Sequence, residues 1–323
     1  IYSEEGAKGL REMLFENTKI EGMFCFENRR TIFEDVDSRF KFVVLTFEKM
    51  VSIHGQNIGQ INYGVPSDGQ LATQAENMRM ESFPAAFMRQ DVAELDKFPG
   101  DGRLQLDIAL IKKLSPNTFS VMEFKSELDI SIVEKMYEFP VLGNAENGWT
   151  LILRQGLNMT SDNKLFHAVA EPGYMPLIEG KMAHQFLLGL APTRSWLNPK
   201  EGRKALLGRD EDIGQLLEYE CYRLAFRRIA RNTDERTFIA TVLPKSAFGA
   251  ESFNIAQPGD LSAERTLYLV AILNSFAADY LIRMMVTANL SMFFVYQIPV
   301  PRLEGGATRF RVVVIRSARL VCI

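Results

Sequence analysis

Two apolar runs near the start of the chain restrict its architecture more than any other feature. Lys19-Ile20-Glu21-Gly22-Met23-Phe24-Cys25-Phe26 reads as a strand, and Phe40 to Phe47 (Phe-Lys-Phe-Val-Val-Leu-Thr-Phe) as a second, continuously apolar one. Ahead of them Leu10, Met13, Leu14 and Phe15 recur at helical spacing, with Ser3 as N-cap and Glu4 and Glu5 in the first turn. One helix and two strands, with a charged loop over Glu27 to Arg39, are too few to close a sheet. The pattern predicts the last third of an α/β domain whose earlier strands lie in a longer protein. Two further features raise the same expectation: Ile1-Tyr2-Ser3 opens without a Met or signal core, and Phe310 to Ile323 stops in an apolar-basic run.

The middle of the chain divides by its breakers. Val51 to Ala75, with Gly55, Gly59, Gly64 and Gly69, is expected to be a loop and places a first domain boundary. Phe83 to Leu95 and Leu104 to Leu114 read as helices, the second stopped by Ser115-Pro116, and Ser126 to Asp129 introduces an amphipathic helix over Ile130 to Phe139. Trp149 to Arg154, Met175 to Ile178 and Thr237 to Leu243 are expected strands, and Leu187 to Arg209, with Pro192 and Pro199, a long loop. Ser262 opens a helix reaching about Met285. The longest apolar stretch, Leu267 to Val286, is interrupted by Asn274, Ser275, Asp279 and Arg283, so it reads as a buried helix rather than a membrane span.

Charge must be read by position, because 37 basic against 40 acidic residues leave the chain nearly neutral, at -3. From Lys181 to Arg209 stand Lys181, Arg194, Lys200, Arg203, Lys204 and Arg209 against Glu201 alone, a local +5. From Arg223 to Arg236 stand Arg223, Arg227, Arg228, Arg231 and Arg236 against Asp234 and Glu235, a local +3. The spacing of four puts Arg223, Arg227 and Arg231 on one face in a helix or a strand alike. Guanidinium groups suit phosphate and guanine edges, although ordinary solvated ion pairs explain such clusters equally well. Asn28, Arg29 and Arg30 lie between the first two strands, where a capping or loop-stabilising role suits them. Cys25, Cys221 and Cys322 form no Cys-x-x-Cys pair, which argues against a disulfide framework or a cysteine zinc site and favours the reducing cytoplasm. His184 has no partner at ligand spacing, and neither a catalytic triad nor a nuclease constellation is evident, so no catalytic or metal-binding residue is expected.

The order of segments resembles the C-terminal part of the large N6-adenine DNA methyltransferases of bacterial restriction-modification and phage-defence systems, the type IIG kind and its phage-exclusion relatives. The matching pieces, in the family's order, are Gly6 to Asn17 (GAKGLREMLFEN), Phe26 to Phe47 (FENRRTIFEDVDSRFKFVVLTF), Ser115-Pro116 with the following helix, Asn158 to Phe166 (NMTSDNKLF), Leu177 to Phe186 (LIEGKMAHQF), Tyr222 to Pro244 (YRLAFRRIARNTDERTFIATVLP), Ile272 to Phe276 (ILNSF) and Tyr296 to Leu303 (YQIPVPRL). The resemblance implies a mixed α/β fold: residues 1–50 as the terminal helix and strands of a Rossmann-like methyltransferase domain, 51–75 a linker, 76–303 a target recognition domain, and 304–323 the start of a further segment. It also implies duplex DNA as partner and S-adenosylmethionine as the parent's methyl donor. The family grips the flipped adenine with Asn-Pro-Pro-Tyr or Asn-Pro-Pro-Phe, and this chain has neither. Methylation, and binding of the methyl donor, are therefore expected to need the N-terminal methyltransferase region of the same polypeptide. The resemblance makes Lys181, Arg194, Lys200, Arg203, Lys204, Arg223, Arg227, Arg228, Arg231 and Arg236 the candidate DNA contacts, and the loop of Asn28, Arg29 and Arg30 a candidate DNA-facing one. The alternative is a protein-docking module of a multi-subunit defence complex.

Overall fold

A computed structural model describes residues 5–38, 40–49, 81–100, 102–116, 118–145, 149–259, 261–286, 289–303 and 305–322. The chain is mixed α/β and forms two compact units, Ile1–Tyr137 and Glu138–Ile323. The expected linker at 51–75 lies outside the described residues, as does Ser3.

The first unit is a four-stranded sheet in the order β2-β1-β3-β4. Helix α1 (Lys8–Asn17) leads into β1 (Thr18–Glu27), which pairs antiparallel with β2 (Lys41–Lys49) and parallel with β3 (Ser82–Arg89). The helix buries Arg11, Leu14 and Phe15 and leaves Leu10 and Met13 exposed, so its inner face is turned from the expected one. Arg11 is accommodated because its Nε donates to Thr118 O at 2.8 Å. Phe15 stacks on Phe83 of β3 at 6.1 Å, and Phe24 of β1 meets Phe98 edge-on at 5.2 Å. Gly22 is needed for the latter, since a Cβ there would stand 2.6 Å from the Phe98 ring. The continuously apolar β2 proves to be an edge strand with Val44 and Phe47 exposed.

Two expected helices are corrected here. Phe83 to Leu95 is β3 followed by a 3-10 turn (Val92–Lys97), because Phe83, Ala85, Ala86 and Phe87 are all buried in a strand held between two neighbours. A short apolar run is ambiguous by periodicity, and the sheet partner decides it. Leu104 to Leu114 splits into β4 (Leu104–Asp107), antiparallel to β3, and α2 (Ile108–Leu114). Helix α3 (Glu127–Met136) starts and ends three residues ahead of the expected Ile130–Phe139, because the cap acts at Ser126: its Oγ accepts from Asp129 N, and Asp129 Oδ2 accepts from Ser126 N. Because β3 pairs with β1, the sequence boundary near residue 75 falls inside one sheet. The compact units divide instead at 137/138.

The second unit holds two sheets. Strands β5 (Leu153–Gln155), β8 (Arg223–Arg227), β9 (Ala240–Leu243) and β11 (Phe253–Ala256) make an antiparallel sheet in the order β5-β11-β8-β9. Strand β6 (Met175–Ile178) pairs antiparallel with β7 (Trp196–Leu197) and parallel with β10 (Phe248–Gly249). The core carries Phe226, Phe238, Phe248 and Phe253, none of them accessible to solvent. Helix α4 (Pro199–Leu207) occupies part of the expected 187–209 loop: Asn198 Oδ1 accepts from Lys200 N at 2.9 Å, and Pro199 pre-sets the first turn. The apolar stretch after Ser262 is buried over most of its length, with Phe276 exposed, and forms two helices, α5 (Ala263–Leu273) and α6 (Phe276–Arg283), because Ser275 caps the second. Helix α7 (Met292–Tyr296) is short, and α8 (Thr308–Val321) turns the terminal apolar-basic run into four turns of helix packed through Phe310 on Tyr268. No described helix is long and apolar enough to cross a membrane.

Candidate nucleic-acid interface

The basic residues separate into those the fold consumes and those it displays. Arg223 opens β8 with only 3% of its surface exposed, its Nε 2.5 Å from the buried Glu218 Oε2. Its other nitrogens donate to Pro244 O and, at 2.6 Å, to Ala247 O. Burial pushes the Glu218 carboxyl up and the Arg223 guanidinium down, and each opposes the other's shift. This pair is a structural clamp, so the surface ridge expected of Arg223, Arg227 and Arg231 is corrected: its first member is inside.

Arg203 is also committed. From α4 it donates Nε and Nη2 to the two Asp212 oxygens at 2.8 and 2.7 Å, Nη1 to Glu220 at 3.1 Å and Nη2 to Gln215 O at 2.9 Å. This bidentate contact holds the Asp212 carboxyl down to about 2, with Gly214 N–H adding to it, and raises Arg203. Arg228 Nε donates to Glu251 O at 2.9 Å. Arg236 donates Nη2 to Asn274 O at 2.6 Å and stacks over the Phe276 ring, rather than pairing with Asp234 or Glu235. Lys181, in a 3-10 turn (Gly180–Met182), pairs with Glu179 at 2.7 Å while remaining exposed.

Asn28 corrects the expected DNA-facing loop. It is fully buried, donating Nδ2 to Phe33 O at 2.9 Å and Val36 O at 2.7 Å and accepting from Phe33 N, so it builds the loop. Arg29 pairs with Glu27 at 3.0 Å, and Arg30 is exposed.

The displayed cations are Arg194, Lys200, Lys204 and Arg209, all exposed and without an acidic partner among the described residues. Lys200 and Lys204 stand one turn apart, about 6 Å along α4. Arg194 precedes and Arg209 follows the helix. Arg231 is exposed and Arg227 half-buried, again with no ion-pair partner among the described residues. Arg154 is missing from the basic clusters of the sequence but stands exposed at a cleft of about 190 Å³ that Gln155, Asn158, Asp162, Leu217 and Glu218 also line. Nothing in its local sequence marks it, because β5 carries no basic neighbour.

Several quoted segments owe their residues to turn-building. Asn158 Oδ1 caps Thr160 N and Ser161 N at 2.9 Å, Asp162 accepts from Asn158 N, and Asn158 Nδ2 reaches Glu251 at 2.5 Å. Asn274 exchanges two hydrogen bonds with Ala240 across α5 and β9. Tyr296 OH accepts from Leu153 N at 2.9 Å. Among the described residues no group of His, Cys, Asp and Glu is arranged to hold a metal ion, and none of the three cysteines is in a disulfide.

No protein-family profile and no curated protein matches the chain. Among solved structures it is similar to the type IIG restriction endonuclease BpuSI over 98% of its own length and 40% of that chain, at 11% identity and a TM-score of 0.42. It is similar also to the HsdS subunit from Thermoanaerobacter tengcongensis over 60% of its length and 44% of that chain, at 14% identity and a TM-score of 0.31. The chain thus spans less than half the length of either structure.

Proposed function

We propose that the chain is a DNA-reading portion of a restriction-modification N6-adenine methyltransferase, holding duplex DNA for a catalytic region that uses S-adenosylmethionine. The observation that carries this reading is the outer side of α4: Lys200 and Lys204 on the helix, Arg209 just past its end and Arg194 ahead of β7 are exposed without acidic partners among the described residues. Arg203 meanwhile faces inward and fastens the helix to Asp212. Cations held on a fixed helix suit the regular phosphates of a duplex, and the sequence resemblance supplies the specific class.

Fluorescence anisotropy of a labelled duplex across a salt series tests it. Binding should weaken steeply with salt, and Lys200→Glu with Lys204→Glu should lower the slope of log K against log salt by about 2. Salt-insensitive binding, or none, would overturn the reading.

A docking role is favoured by a different surface, α8, where Val312, Ile315 and Leu320 are exposed among Arg309, Arg311, Arg316 and Arg319. Retained DNA affinity with loss of a protein partner after charge reversal there would support that second reading.

A further inference from the structure

We infer that Phe276, backed by Arg236, is a stacking platform for a nucleobase that has left its helical stack. This rests on the reading of the chain as a DNA binder. Phe276 is 83% exposed, more than any other large apolar side chain among the described residues. Such exposure on a mobile tip would be unremarked, but this backbone is fastened on every side.

Ser275 Oγ accepts from Ala278 N at the start of α6. The preceding Asn274 is tied to Ala240 through Oδ1 at 2.9 Å and Nδ2 at 2.8 Å, and its carbonyl accepts from both Gln185 Nε2 and Arg236 Nη2. Three residues after Phe276, Asp279 Oδ1 accepts from Thr237 N at 2.8 Å and Phe238 N at 2.7 Å. Arg283 closes the frame by donating to Asn232 O and Glu235 O, so the 231–236 segment and α6 form one block.

Within that frame the Arg236 guanidinium carbon lies 4.5 Å from the Phe276 ring centroid. It covers one face of the ring and leaves the other open. Arg236 Nη1 has no acceptor among the described residues. A flat π surface beside unused N–H donors fits a planar, acceptor-bearing ring carried on a phosphate backbone. Asp234 accepts from Arg231 N at 2.9 Å, and Asp234, Glu235 and Arg231 are all exposed. The polar groups tied to the Asn274 carbonyl, a guanidinium and an amide, suit a nucleobase better than the apolar surface of a protein partner.

The test compares the affinity of the whole chain for a matched duplex and for the same duplex with one central bulged adenine. The wild type should prefer the bulged duplex. Phe276→Ala should weaken that complex by between about 5- and 150-fold, the range of one base stacked on an aromatic ring, while matched-duplex binding and the thermal midpoint stay unchanged. Phe276→Trp should retain the preference. Equal binding of the two duplexes by the wild type, or a preference that survives Phe276→Ala, overturns the proposal while leaving the α4 reading intact. Failure of the wild type to bind either duplex removes the underlying reading and the proposal with it.

Discussion

Arg203 and Lys204 are neighbours in the chain, yet the first is spent on Asp212 and Glu220 and the second faces solvent. A helix turns by about 100° per residue, so adjacent cations need not share an environment. The acid partner has a consequence in pH. The Asp212 carboxyl is depressed to about 2 in the folded chain, so its contribution is present above its ordinary value of 3.8 and lost as pH falls between these two values. Thermal midpoints measured from pH 5 to pH 2 should fall further for the wild type than for Asp212→Asn, and parallel curves would contradict this. Arg223→Ala removes one member of a buried pair and strands Glu218, an expected loss of about 3–5 kcal/mol in urea unfolding. DNA affinity of the folded variant should be unchanged, since Arg223 is inside. Composition could not separate these arginines: Arg223 and Arg227 differ in fate only because a strand crossing into the core meets Glu218 at one end.

At the level of elements, local chemistry was legible wherever it acts locally. The capping box at Ser126 and Asp129 and the strand Met175–Ile178 are readable because their signals lie within a few residues. Helix α4 carried an equally local signal in Asn198-Pro199, masked by Pro192 and the surrounding charges. Its seat is not local: Gly202 is buried against Phe248, where a Cβ would stand 2.4 Å from the ring, and Phe248 is stacked on Tyr219 at 4.5 Å. By helix propensity alone Gly202→Ala should stabilise by about 1 kcal/mol. Overpacking of this rigid site costs about 1–3 kcal/mol and should reverse the sign. A lower melting midpoint for Gly202→Ala, with weakened duplex binding as α4 is displaced, is the expected result; a raised midpoint would show that the ring can move aside. Strand β3 failed in the opposite way, since Phe83 to Phe87 is apolar at every position but Pro84 and only β1 and β4 on either side make it a strand.

For the whole molecule, Glu138–Ile323 contains its own buried aromatics, both of its sheets and the α5–α6 frame, so this span should fold by itself. A chain of residues 138–323 is expected to unfold in one cooperative thermal transition, and a gradual loss of signal would show that its core needs the first unit. The sequence by itself determined that the chain is mixed α/β, that local excesses of +5 and +3 stand within a nearly neutral total, and where the caps and several strands begin. These are properties of composition and of contacts a few residues apart. Only the tertiary structure decided that β3 joins the first sheet, that the units part at 137/138, and which cations reach solvent. Strand pairing and burial join residues far apart in the chain. Arg223 to Pro244 and Ala247, and Asn274 to Ala240, are contacts that no periodicity within one segment encodes.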